Sequence, residues 1–328
     1  MRVSDLARQG KHRLFLQGRN LARTRSMVGT RWDPAFRAQY RAVRASISVP
    51  SLPTSPGPWG LCMVRDEADI VEASVRHMTR QGVTHLLVVD NGSTDGTLDR
   101  LRTLQQELPG LHVGEDREPA FFQSAKMTLL ADILRSVGAR WIVPFDADEF
   151  WFGEKGSLAE ALSYSQYKVV QARIHNAFPM SAAQGLHIDS QPHPDVKAAF
   201  RPFLGAVVTM GNHDVLRPGN RGADLRLVHV PWRSQEQFQR KITQGLRALE
   251  EADTPNDLAT HWRYLGRNSP EAMAEMWTHL VSGSGPEEMV WRPRGQLHQL
   301  GPRVPDTWLE VTRAMGIPEQ GSPGSRGG

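Results

Sequence analysis

Asp146, Asp148 and Glu149 place three carboxylates within four residues, directly after the apolar run Trp141-Ile142-Val143-Pro144-Phe145. An apolar run of this length reads as a buried central strand. Acidic side chains at its exit lie at the carboxyl edge of the sheet, where open α/β folds bind their ligands. Asp146 and Asp148 are two apart, so an extended backbone sends both to one side. Two carboxylates on one side suit a hard divalent cation, Mg²⁺ or Mn²⁺, and such an ion usually brings a phosphate with it. The competing reading is a solvated acidic turn after a strand.

The elements that position these residues are legible around them. Leu86-Leu87-Val88-Val89 is a second buried-strand pattern, ending in Asp90-Asn91 and the turn-rich stretch Gly92 to Thr97. Those residues favour a tight turn that caps the next helix at Asp95 or Thr97. Trp59 to Val64 reads as another strand, followed by Arg65-Asp66-Glu67 and a helix over 68–81 closed by Gly82. Further helices are expected over 127–137 and 235–247. Strands alternating with helices predict a parallel sheet with covering helices.

Three pieces occur in order: Val64 to Glu72, Val89 to Thr97, and Asp146 to Phe150. Together they resemble the nucleotide-sugar-binding half of family-2-type GT-A glycosyltransferases, in the branch with a D-x-D-E-F metal motif. A weaker likeness continues at Met210 to Asp214 and at Val228 to Phe238; residues 1–50 lie outside it. The resemblance implies an α/β GT-A (Rossmann-like), mostly parallel sheet with flanking helices and a C-terminal α-rich extension. It implies a metal-dependent, inverting transfer of a sugar from a nucleoside diphosphate to a hydroxyl of a glycan, lipid or envelope precursor.

Roles follow residue by residue. Asp90 and Asn91 end a strand where a base and ribose would sit, with a carboxylate to accept and an amide to donate and accept. By resemblance, Glu67 faces the nucleotide, Asp148 ligates Mn²⁺ or Mg²⁺, and Asp146 contacts the ribose or the metal through water. Lys126 is a diphosphate cation or an exposed helical lysine. Arg65 pairs with the diphosphate or with Glu67. Arg233 and Lys241 are candidate diphosphate cations or surface charges. A histidine commonly completes the metal shell: His229 is the preferred ligand and His213 the acceptor- or phosphate-side residue, with the reverse left open. The general base is expected at Asp214, with Asp189 the other choice.

Composition sets the limits. The 328 residues, 39% hydrophobic, hold one large α/β domain with additions. The single cysteine, Cys62, lies in an expected strand and excludes an internal disulfide framework, which fits a reducing compartment. No apolar run reaches the ~20 residues needed to span a bilayer. The N-terminus shows no secretory signal. A cytoplasmic location is expected, with peripheral attachment to the inner face of the membrane as one reading. Residues 1–50 carry eleven Arg or Lys and two Asp, a net +9. The chain as a whole is +4, so residues 51–328 carry −5. This basic, possible helical arm either lies on an anionic membrane surface or docks on the protein's own acidic surface. Residues 51–58 read as a linker, 59–318 as the catalytic domain (59–151 for the donor, 152–318 for the acceptor and helical extension), and 319–328 as a disordered tail. Two other classes stand beside the transferase. A sugar-phosphate nucleotidyltransferase would open on a Gly-rich loop, but residues 59–70 hold one glycine, Gly60. A non-catalytic nucleotide-, membrane- or nucleic-acid-binding protein would leave the ordered motifs unexplained, and no nucleic acid partner is expected.

Overall fold

The computed structural model describes residues 3–180, 185–251, 264–287 and 289–317, with side chains described from residue 18. The expected tail over 319–328 lies outside the described residues. Four strands, β2 (Pro58–Val64), β3 (His85–Asp90), β4 (Leu111–Asp116) and β5 (Trp141–Pro144), lie in the order β4-β3-β2-β5, all parallel. The sheet continues through β9 (Val196–Phe200), β7 (Val169–Pro179), β12 (Arg221–His229) and β6 (Glu149–Gly153). β7 and β12 run with the first four strands; β9 and β6 run against them. At the far edge β1 (Ile47–Ser48) lies antiparallel on β4. β8 (Leu186–Asp189) extends from β7 and pairs β13 (Leu297–Gly301), while β10 (Val207–Val208) and β11 (Val215–Leu216) form a separate hairpin. The architecture is α/β with a mostly parallel central sheet.

The unbroken apolar runs have a simple cause: both faces of these strands are covered. Cys62, Val64, Leu86 and Val88 share a core with Val75 and Met78 of α3 (Val71–Arg80) and Leu101 and Leu104 of α4 (Thr97–Glu107). The alternate positions Trp59, Leu61, Leu87 and Val89 pack with Met127, Leu130 and Leu134 of α5 (Gln123–Ser136). Period-two alternation sorts the two cores. Gly82, at φ +80, ends α3, and a Cβ there would meet Ala159 at 2.8 Å. α3 starts three residues later than expected, because Glu67 N–H and Ala68 N–H donate to Thr97 Oγ1 and Asp95 Oδ2 across the loop. The helix cap also shifts: Gly96 is the N-cap of α4, and Asp95 accepts from Thr97 N–H at 3.0 Å.

The N-terminal segment is not a separated arm. α1 (Val3–Trp32) and α2 (Pro34–Ser46) are joined at Asp33, whose carboxylate caps α2. Phe36 and Val43 of α2 pack on Ala125 and Leu129 of α5. Arg31 reaches Asp132 at 2.9 Å, and Tyr40 Oη donates to the same carboxylate. Residues 51–58 do not form a free spacer either. Leu52 packs against the second core, Ser55 N–H donates to Val137, and Trp59 Nε1–H donates to Ser55. After β6 come α6 (Leu158–Tyr164), α7 (Gln235–Glu251), α8 (Pro270–Val281) and α9 (Trp308–Ala314). Phe238 and Ile242 of α7 join Phe178, Trp232, Met273 and Leu280 in a satellite core that fixes α7 over the sheet edge. No helix among the described residues is long and apolar enough to cross a membrane.

Two outcomes test this packing. Val43 is fully buried, so Val43→Ala should cost about 1.5–3 kcal/mol in urea unfolding of the whole chain. An unchanged midpoint would mean that α2 does not dock. His77 is buried, with Nε2 against Trp151 O at 2.8 Å, and burial pushes its pKa down to about 4. Its contribution is full above about 6.5 and falls away as pH drops toward 4, by at most about 3 kcal/mol. His193 shares this direction. His77→Gln should therefore flatten part of the acid limb of the stability–pH curve; parallel curves would refute the assignment.

Candidate active site

The carboxyl ends of β2, β5 and β12 meet α7 around a cavity of about 370 Å³. A smaller lobe of about 180 Å³ adjoins it, sharing Arg65, Glu67 and Lys241. Asp146 and Asp148 both line the larger cavity, but the backbone between them is not extended. Glu149 N–H closes a turn onto Asp146 O at 3.0 Å, so the two carboxylates take different partners. Asp146 accepts from Lys197 Nζ at 2.6 Å and from Asn212 Nδ2 at 3.1 Å. Asp148, almost fully buried, pairs with Lys241. Burial opposes the charge on Asp148, yet Lys241, His229 and Arg233 outweigh it and hold the carboxyl well below the usual range.

Glu149 points back into the fold. It accepts from Asp146 N–H and Trp151 Nε1–H and meets Lys197 at 2.7 Å. Burial pushes its pKa up to about 8 despite Lys197. Burial also opposes the charge on Lys197, but Asp146 and then Glu149 outweigh it and raise the ammonium pKa. Glu67 ion-pairs with Arg233 and with Lys241 at 3.2 Å, and burial pushes its carboxyl up against those two cations. Arg233 also binds Asp69 at 2.6 Å. Arg65 lines both lobes with its side chain 40% exposed; its nearest acid is Asp66, at 3.9 Å, rather than Glu67.

His229 Nδ1 lies 2.9 Å from Asn176 Oδ1, and its Nε2 faces Asp148 Oδ2 at 3.6 Å. Burial pushes the His229 pKa down, so the ring is neutral near pH 7. The Asp148 carboxylate beside this ring favours a cation next to it. Lys241 Nζ is that cation here. His213 lines the other side of the cavity. Its Nδ1 donates to Val196 O at 2.9 Å, which leaves Nε2 as an acceptor. Gly211, at φ +72, makes room for the ring, since a Cβ would sit 2.4 Å from His213 Cδ2.

Other expected residues fall elsewhere. Asp214 is not among the cavity-lining residues; its carboxylate pairs with Arg221 and accepts from Val215 N–H at 2.7 Å. Asp189 is buried, holding Arg294 N–H at 2.6 Å and Gly295 N–H at 3.0 Å. Lys126 lies inside α5, buried rather than exposed, against Asp116 at 2.8 Å and Glu118 O at 2.6 Å. It reaches only the smaller lobe, as does Asn91, whose amide donates to Asp116 and Glu118. Asp90 is buried outside both linings and accepts from Ser93 N–H at 2.9 Å; its Oδ2 has no hydrogen-bond partner.

Four contributors escaped the sequence reading. Lys197 and Asn176 lie in stretches with no motif, and Asn212 lies in the weak match Met210 to Asp214. Asp66 sits inside a motif, yet its role shows only in three dimensions. At φ +53 it accepts from Thr94 N–H at 2.6 Å and from Gln244 Nε2–H, tying two loops to α7. The only sequence signal for Asn212 was its place in Gly211-Asn212-His213-Asp214.

Lys241→Met should destabilise the chain by roughly 3–5 kcal/mol, because it strands a buried carboxylate. Mn²⁺ should then raise the melting temperature of this variant more than that of the parent. An equal response in both would mean that Lys241 does not stand at a cation position.

The sequence of residues 63–227 matches the family model described as Glycosyl transferase family 2. No curated protein matches the chain. Among solved structures, residues 1–349 of TarS from S. aureus are 11% identical, with 69% of this chain and 71% of that one covered at a TM-score of 0.35. The mannosyltransferase PcManGT from Pyrobaculum calidifontis, in complex with GDP-Man and Mn2+, is 16% identical, with 94% and 88% covered at a TM-score of 0.35. A putative glucose-1-phosphate thymidylyltransferase from Bacillus anthracis is 8% identical, with 82% and 98% covered at a TM-score of 0.29. With its family model spanning half of the sequence, from the first cavity-lining strand to β12, the chain belongs to glycosyl transferase family 2 and is a glycosyltransferase.

Proposed function

We propose that the chain transfers a sugar from a nucleoside-diphosphate donor to an acceptor hydroxyl of a glycan, lipid or envelope precursor, with inversion at the anomeric carbon. One observation carries this reading. At the carboxyl edge of the parallel strands, a two-lobed cavity brings Asp146, Asp148 and Glu67 against Lys241, Arg65 and three histidines, His193, His213 and His229. The smaller lobe, with Asn91, Ala120 and Ala248, suits a base and ribose. Asp90 Oδ2 is an unpaired acceptor at the end of β3. The shared seam suits a diphosphate, because Arg65 and Lys241 both border it. The larger lobe, beside Asp146 and His213, suits the sugar and the acceptor.

Asp148 and His229 fit a divalent ion such as Mn²⁺ or Mg²⁺, since a carboxylate and a neutral imidazole both accept a borderline metal. Among the described residues, no three His, Cys, Asp or Glu side chains converge on one metal position. Donor phosphates would complete the shell. When bound, the ion supplies Lewis-acid stabilisation of the departing nucleoside diphosphate. The chain's own residues do the rest. Arg65, Lys241 and Arg233 neutralise phosphate charge. Lys197 and Asn212 fix Asp146. His213 Nε2 is the best-placed proton acceptor for the incoming hydroxyl, ahead of Asp214.

Thermal melting with UDP, GDP, CDP, ADP and dTDP and their sugars, each with and without Mn²⁺, tests the donor site. One base should stabilise the fold by about 2.7 kcal/mol at a hundredfold excess over Kd, and Asp148→Asn should abolish the metal-dependent part. Silence from every nucleotide would sink the reading. His213→Gln should lower turnover by about 10²–10⁴-fold while donor-induced stabilisation persists; full activity would return the base to a carboxylate.

A further inference from the structure

The outer face of α1 and α2 is unlike the rest of the surface. Leu21, Val28 and Trp32 are 54%, 45% and 70% exposed, and their spacing of seven and four residues sets them on one helical face. The 203–206 loop lies beside this helix, held by Arg31 on Gly205 O at 3.2 Å and Ala206 O at 2.6 Å, and it adds Leu204, 73% exposed. Arg25 is exposed on α1, and Arg37, Arg41 and Arg44 form an exposed stripe on α2. Arg37 lies over the Trp32 ring at 5.6 Å, so the basic and apolar stripes are contiguous. Between residues 18 and 48 the only acid is Asp33, and its carboxylate is occupied capping α2. The protein's own acidic surface does not cover these arginines: the inward contact is made by Arg31 on Asp132, on another side of the helix pair.

We propose that this face docks the enzyme on an anionic bilayer surface. A membrane interface satisfies both halves of the pattern. Headgroup phosphates pair with the guanidinium groups, and Leu21, Val28 and Trp32 enter the boundary between headgroups and acyl chains. A nucleic acid would take the arginines but leave Leu21, Val28 and Leu204 in water. Docking through α2 also bears on the site, because α2 packs on α5, whose first residue Gln123 lines the cavity. The inference does not depend on the identity of the donor.

The test is co-sedimentation of the full chain with phosphatidylcholine vesicles, with or without 30% phosphatidylglycerol. The anionic vesicles should bind at least tenfold more strongly, with the difference shrinking at high salt. The triple variant R37E/R41E/R44E should lose at least tenfold, and Trp32→Ser alone several-fold, with unchanged melting temperatures because all four residues are exposed. Equal binding to neutral vesicles, or no loss in either variant, overturns the proposal. So does tighter binding to duplex DNA than to anionic vesicles together with indifference to Trp32→Ser, which marks a nucleic-acid surface. Should the triple variant melt early, the Trp32→Ser result decides.

Discussion

The site depends on the burial of carboxylates that cannot stand alone. Asp148 and Glu149 are nearly sealed from water and Glu67 almost so. An unpaired carboxylate in such a place costs several kcal/mol, and removing one partner of a buried pair about 3–5 kcal/mol. Each finds its cation far along the chain: Lys197 for Glu149, Arg233 for Glu67, Lys241 for Asp148. The acids lie before residue 151 and their cations after it. Neither half is electrostatically complete without the other.

The same constraint explains what could be read from sequence. The strands near 59, 86 and 141 are legible because both faces are covered, which leaves an unbroken apolar run. The acids at their ends are legible because polar residues interrupt those runs at the sheet edge. Lys197 and Asn176 are not legible. Each sits in a strand of the later half whose partners lie 51 to 53 residues away along the chain. The burial of Lys126 is hidden for a related reason: helical periodicity cannot reveal that Asp116 and Glu118 O wait beneath that turn of α5. The sequence of the N-terminal helices reads as a basic arm set off by a linker because charge dominates their composition. Their docking relies on two apolar residues, Phe36 and Val43, seven apart on one face of α2.

Loop chemistry shows the same limit. Two carboxylates two apart were expected to leave an extended strand together. The turn closed by Glu149 N–H sends Asp146 toward β9 and Asp148 toward β12 and α7. The separation has a use: one acid is held by Lys197 and Asn212 within β9 and the hairpin region, while the other faces a histidine and the roof helix.

On the proposed reading, that roof couples metal to donor. A divalent ion arriving alone at Asp148 displaces Lys241 and leaves a buried ammonium with only Glu67, already shared with Arg233. A diphosphate arriving alone draws Lys241 away and leaves Asp148 with His229, a neutral partner. Arriving together, the two would exchange partners: Asp148 and His229 would hold the ion and Lys241 would turn to the phosphates, while Glu67 keeps Arg233. Each ligand therefore removes the penalty the other would incur, which is positive coupling in the thermodynamic sense and reciprocal by necessity. On that reading, the ion pairs that stabilise the fold would also make each ligand bind better in the presence of the other.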